Sequence, residues 1–327
     1  MRDDYKQRVI ERGRLALERL GSEVDAADPG ELVLPRSRVL CAGLAELAGT
    51  VLTALGPSRA QDEVATLAAA LSLLTKIDDE VIDSLEFHGG ESAPRGRVRA
   101  RTEAFLDVTL QAITSGVAQS EQPRCVFAAT IGRRIRALAT TTQARDALLT
   151  LVREGWATQV DAVVCLTDDP LRVDLQEVDR VTRRISGDWL ALIAACGALP
   201  SGSRLDPSEV EAIRDAGSFI QRADSLADLE KDQREGLTST WAACRIARAG
   251  SAAGSLAKRY EAARSLGLEQ LASPDASLSR SISRRLQRFP ELADWLDWIR
   301  TMLIGRHKTH ALYTSQESPG GVSCGAR

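Results

Sequence analysis

Proline placement constrains this chain more than any other feature. Its eleven prolines stand at positions 29, 35, 57, 94, 123, 170, 200, 207, 274, 290 and 319. Between them run long proline-free stretches, among them 58–93, 124–169, 171–199 and 208–273. Proline breaks a helix interior because it lacks the amide donor and its ring clashes with the preceding turn. The gaps are therefore where helices can run, and they are rich in Ala, Leu, Arg and Glu, all strong helix formers. Alternating β-branched residues of the strand type are scarce. Start signals agree: Asp206-Pro207-Ser208-Glu209 offers an N-cap, a proline at the first helical position and an acid in the first turn.

The expectation is an all-α chain with helices near 3–20, 36–55, 59–87, 99–117, 123–140, 143–166, 174–197, 207–233, 238–249, 252–266, 277–288 and 290–313. Neither an internal repeat nor a separating linker stands out, so residues 1–315 read as one large helical bundle. The small, polar stretch 316–327 reads as a disordered tail.

Bulk properties narrow the function. The net charge of −3 carries no basic excess, which disfavours nucleic acid as a partner. Six scattered cysteines include no CxxC pair and there are only three histidines, so a structural zinc site lacks material. The cysteines fall on apolar stretches, as in a reduced, cytoplasmic protein. The start MRDDYKQRVIERGR is too charged for a signal peptide, and the longest apolar run, 189–199, is too short for a transmembrane segment. A homodimer stays open.

Two acidic clusters carry the chemistry. The first is Asp78-Asp79-Glu80-Val81-Ile82-Asp83, followed by Glu86. Residues four apart share a helix face, so Asp79 and Asp83 point together and Glu86 follows one turn later. Asp78 instead falls within the apolar arc of Leu71, Leu74, Val81, Ile82 and Leu85. An unpaired charge in a bundle interior is costly, and a metal or an arginine is a physical reason to keep it. The second cluster is Gln221, Asp224, Asp228 and Asp232, whose spacing of three, four and four keeps all four on one stripe. Three carboxylates so arranged repel one another, and divalent cations relieve this. Mg²⁺ suits them, because it takes oxygen ligands and binds through one or two carboxylates plus substrate phosphates. Acids at helical spacing also occur as plain solvated faces. Two such stripes on separate helices, one with an acid in its apolar arc, weigh against that.

The segment from Phe219 to Gly236 resembles the second aspartate-rich motif of squalene and phytoene synthases. That motif has Gln, then Asn or Asp three on, Asp seven on, Asp eleven on and Gly fifteen on. Gln221, Asp224, Asp228, Asp232 and Gly236 occupy those places, and Arg234 matches a basic residue before the glycine. Asp79 to Asp83 resembles the DxxxD form of the first motif, preceded by Asp78. The resemblance implies a class I isoprenoid synthase-like bundle around a central apolar cavity, with a Mg²⁺ cluster on the order of three ions. It implies metal ligation by Asp78, Asp79, Asp83, Asp224, Asp228 and Asp232. Diphosphate or substrate contacts would come from Arg183, Arg184, Gln221, Lys231 and Arg234, and cation–π contacts from Trp156, Trp189, Phe219 and Trp241.

This sequence also departs from the family. The tyrosine-rich segment of phytoene synthases is missing, Ala227 stands where they usually have arginine, and the Asn/Ser/Glu metal triad of terpene cyclases is absent. The resemblance thus implies an enzyme that ionises one allylic C15–C20 prenyl diphosphate and cyclises or eliminates. A head-to-head prenyl transferase and a non-catalytic prenyl-binding protein are the alternatives. In the last helix, Trp295, Trp298 and Ile299 read as an apolar face, followed by His307, Lys308, His310 and Tyr313.

Overall fold

The computed structural model describes residues 2–24, 42–45, 60–83, 94–251 and 254–316. These residues form helices and no strand. In chain order the helices are α1 (Arg2–Val24), α2 (Gln61–Ile82), α3 (Arg95–Ser115), α4 (Pro123–Leu138), α5 (Thr142–Leu166), α6 (Leu175–Ala198), α7 (Pro207–Ala227), α8 (Leu229–Glu235), α9 (Trp241–Arg248), α10 (Leu256–Ser265), α11 (Leu268–Leu271), α12 (Ala276–Arg285) and α13 (Pro290–Gln316). Residues 42–45 are also helical. Among the described residues no helix is long and apolar enough to cross a membrane.

Caps and prolines set the helix ends. Pro123, Pro207 and Pro290 open α4, α7 and α13, where a missing amide costs nothing. Thr141 accepts the Ala144 amide at 3.1 Å, and Asp275 accepts that of Leu278 at 2.7 Å. Gly236 ends α8 with φ of 74°, a conformation that glycine adopts without a Cβ clash.

The helices α6 and α7 form the centre. Their neighbours are α5 and α2 around α6, and α13 and α12 around α7, while α3 joins α4 to α5. At the α6–α7 crossing a Cβ added to Gly217 would stand 2.5 Å from the Gly187 nitrogen, so the helices touch backbone to backbone. The small residues Ala191, Ala194 and Ala195 continue the buried face of α6.

Three differences from the expected helices matter. Residues 207–233 do not form one helix: the chain turns at Asp228 (φ −100°, ψ 13°) between α7 and α8. The i to i−4 bonds nonetheless persist there, with Asp228 N donating to Asp224 O and Asp232 N to Asp228 O, both at 2.8 Å. The short α11 was not signalled by periodicity, and Val81, placed on the apolar arc, is exposed. Most of the expected 36–55 helix, Leu85, Glu86 and the tail from 317 lie outside the described residues.

Candidate active site

The two acidic segments border one cavity of about 350 Å³. From α2 come Lys76 and Asp79, with Asp83 at its C-cap; from α7, α8 and the turn between them come Gln221, Asp224, Asp228, Lys231 and Asp232. The rest of the wall is mainly apolar, with Trp156, Ala162 and Val163 on α5, Ile185 and Trp189 on α6, Trp241 on α9, and Ile299 and Leu303 on α13. Acids therefore cluster on one part of a greasy chamber.

Their electrostatics show how closely the segments face each other. Burial, and next the charge of Asp79, hold the Asp83 carboxyl well above its usual range, with Lys231 and Glu235 of α8 also acting on it. Asp224 is pushed up to about 7, first by burial and then by Asp228; Lys76 of α2 acts in the opposite sense. Asp232 is pushed up to about 8, again by burial and then by Asp224 and Asp228. Asp83 and Asp224 are half-buried, and both line the cavity.

Cations already sit among these acids. Lys76 Nζ lies 2.7 Å from Asp79 Oδ2, Arg306 Nη1 lies 2.9 Å from Asp228 Oδ1, and Lys231 Nζ lies 3.7 Å from Asp228 Oδ2. Lys76 and Arg306 were missed by the sequence reading. Lys76 was findable, since it stands one helical turn before Asp79. Nothing local in the sequence ties Arg306 to a site some eighty residues away. Among the described residues no three His, Cys, Asp or Glu side chains converge tightly enough to cage a metal ion. The oxygen donors suit Mg²⁺, which binds through few protein ligands and completes its shell with water and phosphate.

Several expected site residues lie elsewhere. Asp78 is fully buried but does not line the cavity; Arg124 Nη1 lies 3.1 Å from its Oδ1. Of the two partners its arc position suggests, it has the arginine. Its carboxyl is pushed up to about 7 by burial, against the pull of Arg124. Neither Asp78 Oδ2 nor the Trp156 indole nitrogen has a partner of ordinary geometry, although the indole acts on the carboxyl.

Arg183 is tied to Glu211 (2.6 Å) and Asp215 (2.9 Å) between α6 and α7. Arg184 is tied to buried Asp188 at 2.8 Å, which also takes Arg214 Nε at 2.7 Å and the Thr158 hydroxyl at 2.6 Å. These arginines brace helices and do not line the cavity. Arg234 is exposed on α8, its Nε 3.4 Å from its own helix's Glu230 carbonyl. Phe219 does not line the cavity and lies under Arg222, 5.3 Å from its centroid.

Next to Arg306 on α13, His307 is buried, its Nδ1 3.1 Å from the Leu226 carbonyl and its Nε2 3.3 Å from Glu269. Lys308 also pairs with Glu269, while Tyr313 is exposed. Cys125, Cys165, Cys196 and Cys244 are free and buried; the other two cysteines lie outside the described residues. Compared with known proteins, the chain matches no family model and no curated protein.

Proposed function

We propose that this chain is a Mg²⁺-dependent class I terpene synthase that ionises an allylic C15–C20 prenyl diphosphate and cyclises or eliminates the resulting cation. The observation that carries the reading is the shared cavity: carboxylates from two segments about 150 residues apart border one chamber whose other walls are mostly apolar. A substrate with an anionic head and a hydrocarbon tail fits that division.

Asp79, Asp83, Asp224, Asp228 and Asp232 would hold the metal. When bound, Mg²⁺ would neutralise negative charge on the departing diphosphate. Lys76, Lys231 and Arg306 stand beside these acids and would stabilise the same developing charge once the acids turn to the metal. Gln221, whose Oε1 accepts the Ser186 hydroxyl proton, would orient a ligand or water. Trp156 and Trp189 would face the cation. Trp241 suits that role less, because Arg245 lies 4.6 Å and Arg222 5.5 Å from its ring centroid and already draw on its π density.

A cavity of about 350 Å³ is at the small end of ligand pockets, which span roughly 300–1,000 Å³. One folded prenyl chain suits it better than two side by side, which favours cyclisation or elimination over head-to-head condensation. The test is diphosphate release with Mg²⁺ and C10, C15 and C20 prenyl diphosphates. Asp79→Ala and Asp228→Ala should each abolish it while helical circular dichroism persists; full activity in either variant removes the metal assignment.

A further inference from the structure

A second cavity, of about 370 Å³, lies on three of the helices that wall the first. On α5 its lining stops at Glu154, and that of the acid-bearing chamber starts at Gly155. On α6 the first chamber stops at Leu192 and the second takes Ala195 and Ala198. On α7 the second stops at Arg214 and the first starts at Ile220. The two linings share one face of each helix. Pro207, Arg214, Gln221 and Asp228 stand seven apart, two turns each, and Leu148, Leu151, Gly155, Thr158 and Ala162 stand three or four apart. The chambers are therefore stacked end to end inside the bundle.

A polar partition stands between them. Buried Asp188 accepts the Thr158 hydroxyl at Oδ2 (2.6 Å) and Arg214 Nε at Oδ1 (2.7 Å), and Arg214 Nη2 reaches Glu154 at 2.6 Å. Thr158 lines the first chamber, whereas Arg214 and Glu154 line the second. The bonds thus run from one wall to the other. The α6–α7 crossing closes the space further, since a Cβ on Gly187 would stand 2.8 Å from Arg214 Cα. A hydrocarbon pushing through would have to strand a buried carboxylate, which is strongly disfavoured. Gly155 lies one turn before Thr158 on the first chamber's side, and a Cβ there meets no atom within 4 Å. The floor beside it is open.

We propose that Gly155 and the Thr158–Asp188–Arg214 partition form the floor of the reaction chamber and limit the substrate to a C15 prenyl chain, excluding C20. The inference rests on the terpene synthase reading and narrows its substrate. Arg214 stands ten residues before Asp224 on α7, a depth of about 15 Å at 1.5 Å per residue. That depth takes an extended C15 tail whose diphosphate lies among the acids, and one more isoprene unit meets the partition. Gly155, Asp188 and Arg214 determine specificity without touching the reacting carbon.

The experiment measures kcat/KM for diphosphate release by the full chain with Mg²⁺ and C10, C15 and C20 prenyl diphosphates. The parent should favour C15 over C20. Gly155→Leu should lower the C15-to-C10 ratio by about 10- to 200-fold, the range that a hydrophobic pocket gives for a small misfit, and Gly155→Ala by less. Asp188→Ser combined with Arg214→Ala removes both charges together and should raise the C20-to-C15 ratio on the order of tenfold. A merely structural loss lowers all three substrates alike and leaves the ratios unmoved. If the double variant loses its helical circular dichroism, Gly155→Leu decides. A parent that takes C20 as well as C15 would overturn this inference and leave the terpene synthase reading intact. So would a Gly155→Leu protein with the parent's ratio, or one inactive even with C10, which a shortened chamber must still admit. If no substrate releases diphosphate from the parent, the underlying reading fails and this inference with it.

Discussion

The Ser186 hydroxyl on α6 donates to Gln221 Oε1 on α7, and this bond crosses the place where the two helices come closest. A Cβ on Gly217 would meet the Gly187 nitrogen at 2.5 Å, its Cα at 2.6 Å and the Ser186 carbonyl carbon at 3.0 Å. These are all backbone atoms and cannot turn aside. Gly217 therefore lets α7 lie close enough to α6 for Gln221 to be gripped from across the crossing.

Replacing Gly217 with alanine should force the helices apart, at a cost of about 1–3 kcal/mol for overpacking. Gly155 on α5 is an internal control, because a Cβ there meets nothing within 4 Å. Gly155→Ala should stabilise by roughly 0.5–1 kcal/mol through helix propensity. Urea unfolding of both variants measures the contrast, and a Gly217→Ala protein as stable as its parent would contradict the close crossing.

Asp78 and Asp79 are neighbours with different tasks. Asp78 turns inward to Arg124, whose guanidinium lies 3.4 Å from the Phe105 ring centroid and donates to the Phe105 carbonyl at 3.1 Å. Arg124→Met strands a buried carboxylate, a change that costs about 3–5 kcal/mol when the charge persists. The loss should be largest at pH 8 and smaller at pH 6, where Asp78 takes up a proton. Asp78→Asn should leave Mg²⁺ binding with inorganic diphosphate in place, whereas Asp79→Asn should weaken it. Calorimetric titration distinguishes the two, and loss of binding in Asp78→Asn would return that residue to the ligand set.

Much of the architecture was legible because helix signals are local. Prolines, caps and composition act within a turn or two, so α4, α5, α6 and the start of α7 fall close to their expected bounds. The shared faces of Asp79 with Asp83, and of Gln221 with the later aspartates, follow from helical spacing. That both segments border one cavity is tertiary, and spacing alone does not reveal it. The same limit explains Arg183, which Glu211 and Asp215 claim through packing of α6 on α7. Arg184 is different, because Asp188 stands one turn on in α6 itself, at a spacing the sequence already shows. Arg306 reaches Asp228 only because α13 lies along α7.

The crowded acids make stability depend on pH in an unusual sense. Burial holds Asp232 up at about 8, and Asp224 and Asp78 at about 7, against an ordinary value of 3.8. The folded protein then keeps protons that the unfolded chain has released. Stability must fall as pH rises across the interval between the two values, and level off above it. His307 works the other way, because burial lowers its pKa from 6.5 and its contribution grows with pH up to that value. Above pH 6.5 the acids govern. Between pH 6.5 and 8, Asp232 alone should remove about 2 kcal/mol, at ~1.4 kcal/mol per pH unit, which lowers the melting temperature by a few degrees. Mg²⁺ with inorganic diphosphate binds the ionised carboxylates, so it should raise the melting temperature more at pH 8 than at pH 6.5 and release protons on binding. Scanning calorimetry at both pH values, with titrations in buffers of different ionisation enthalpy, reads both effects. A metal-free protein that grows more stable from pH 6.5 to 8 would mean that these carboxylates are solvated and ionised throughout, and no cluster of buried acids would then await a cation.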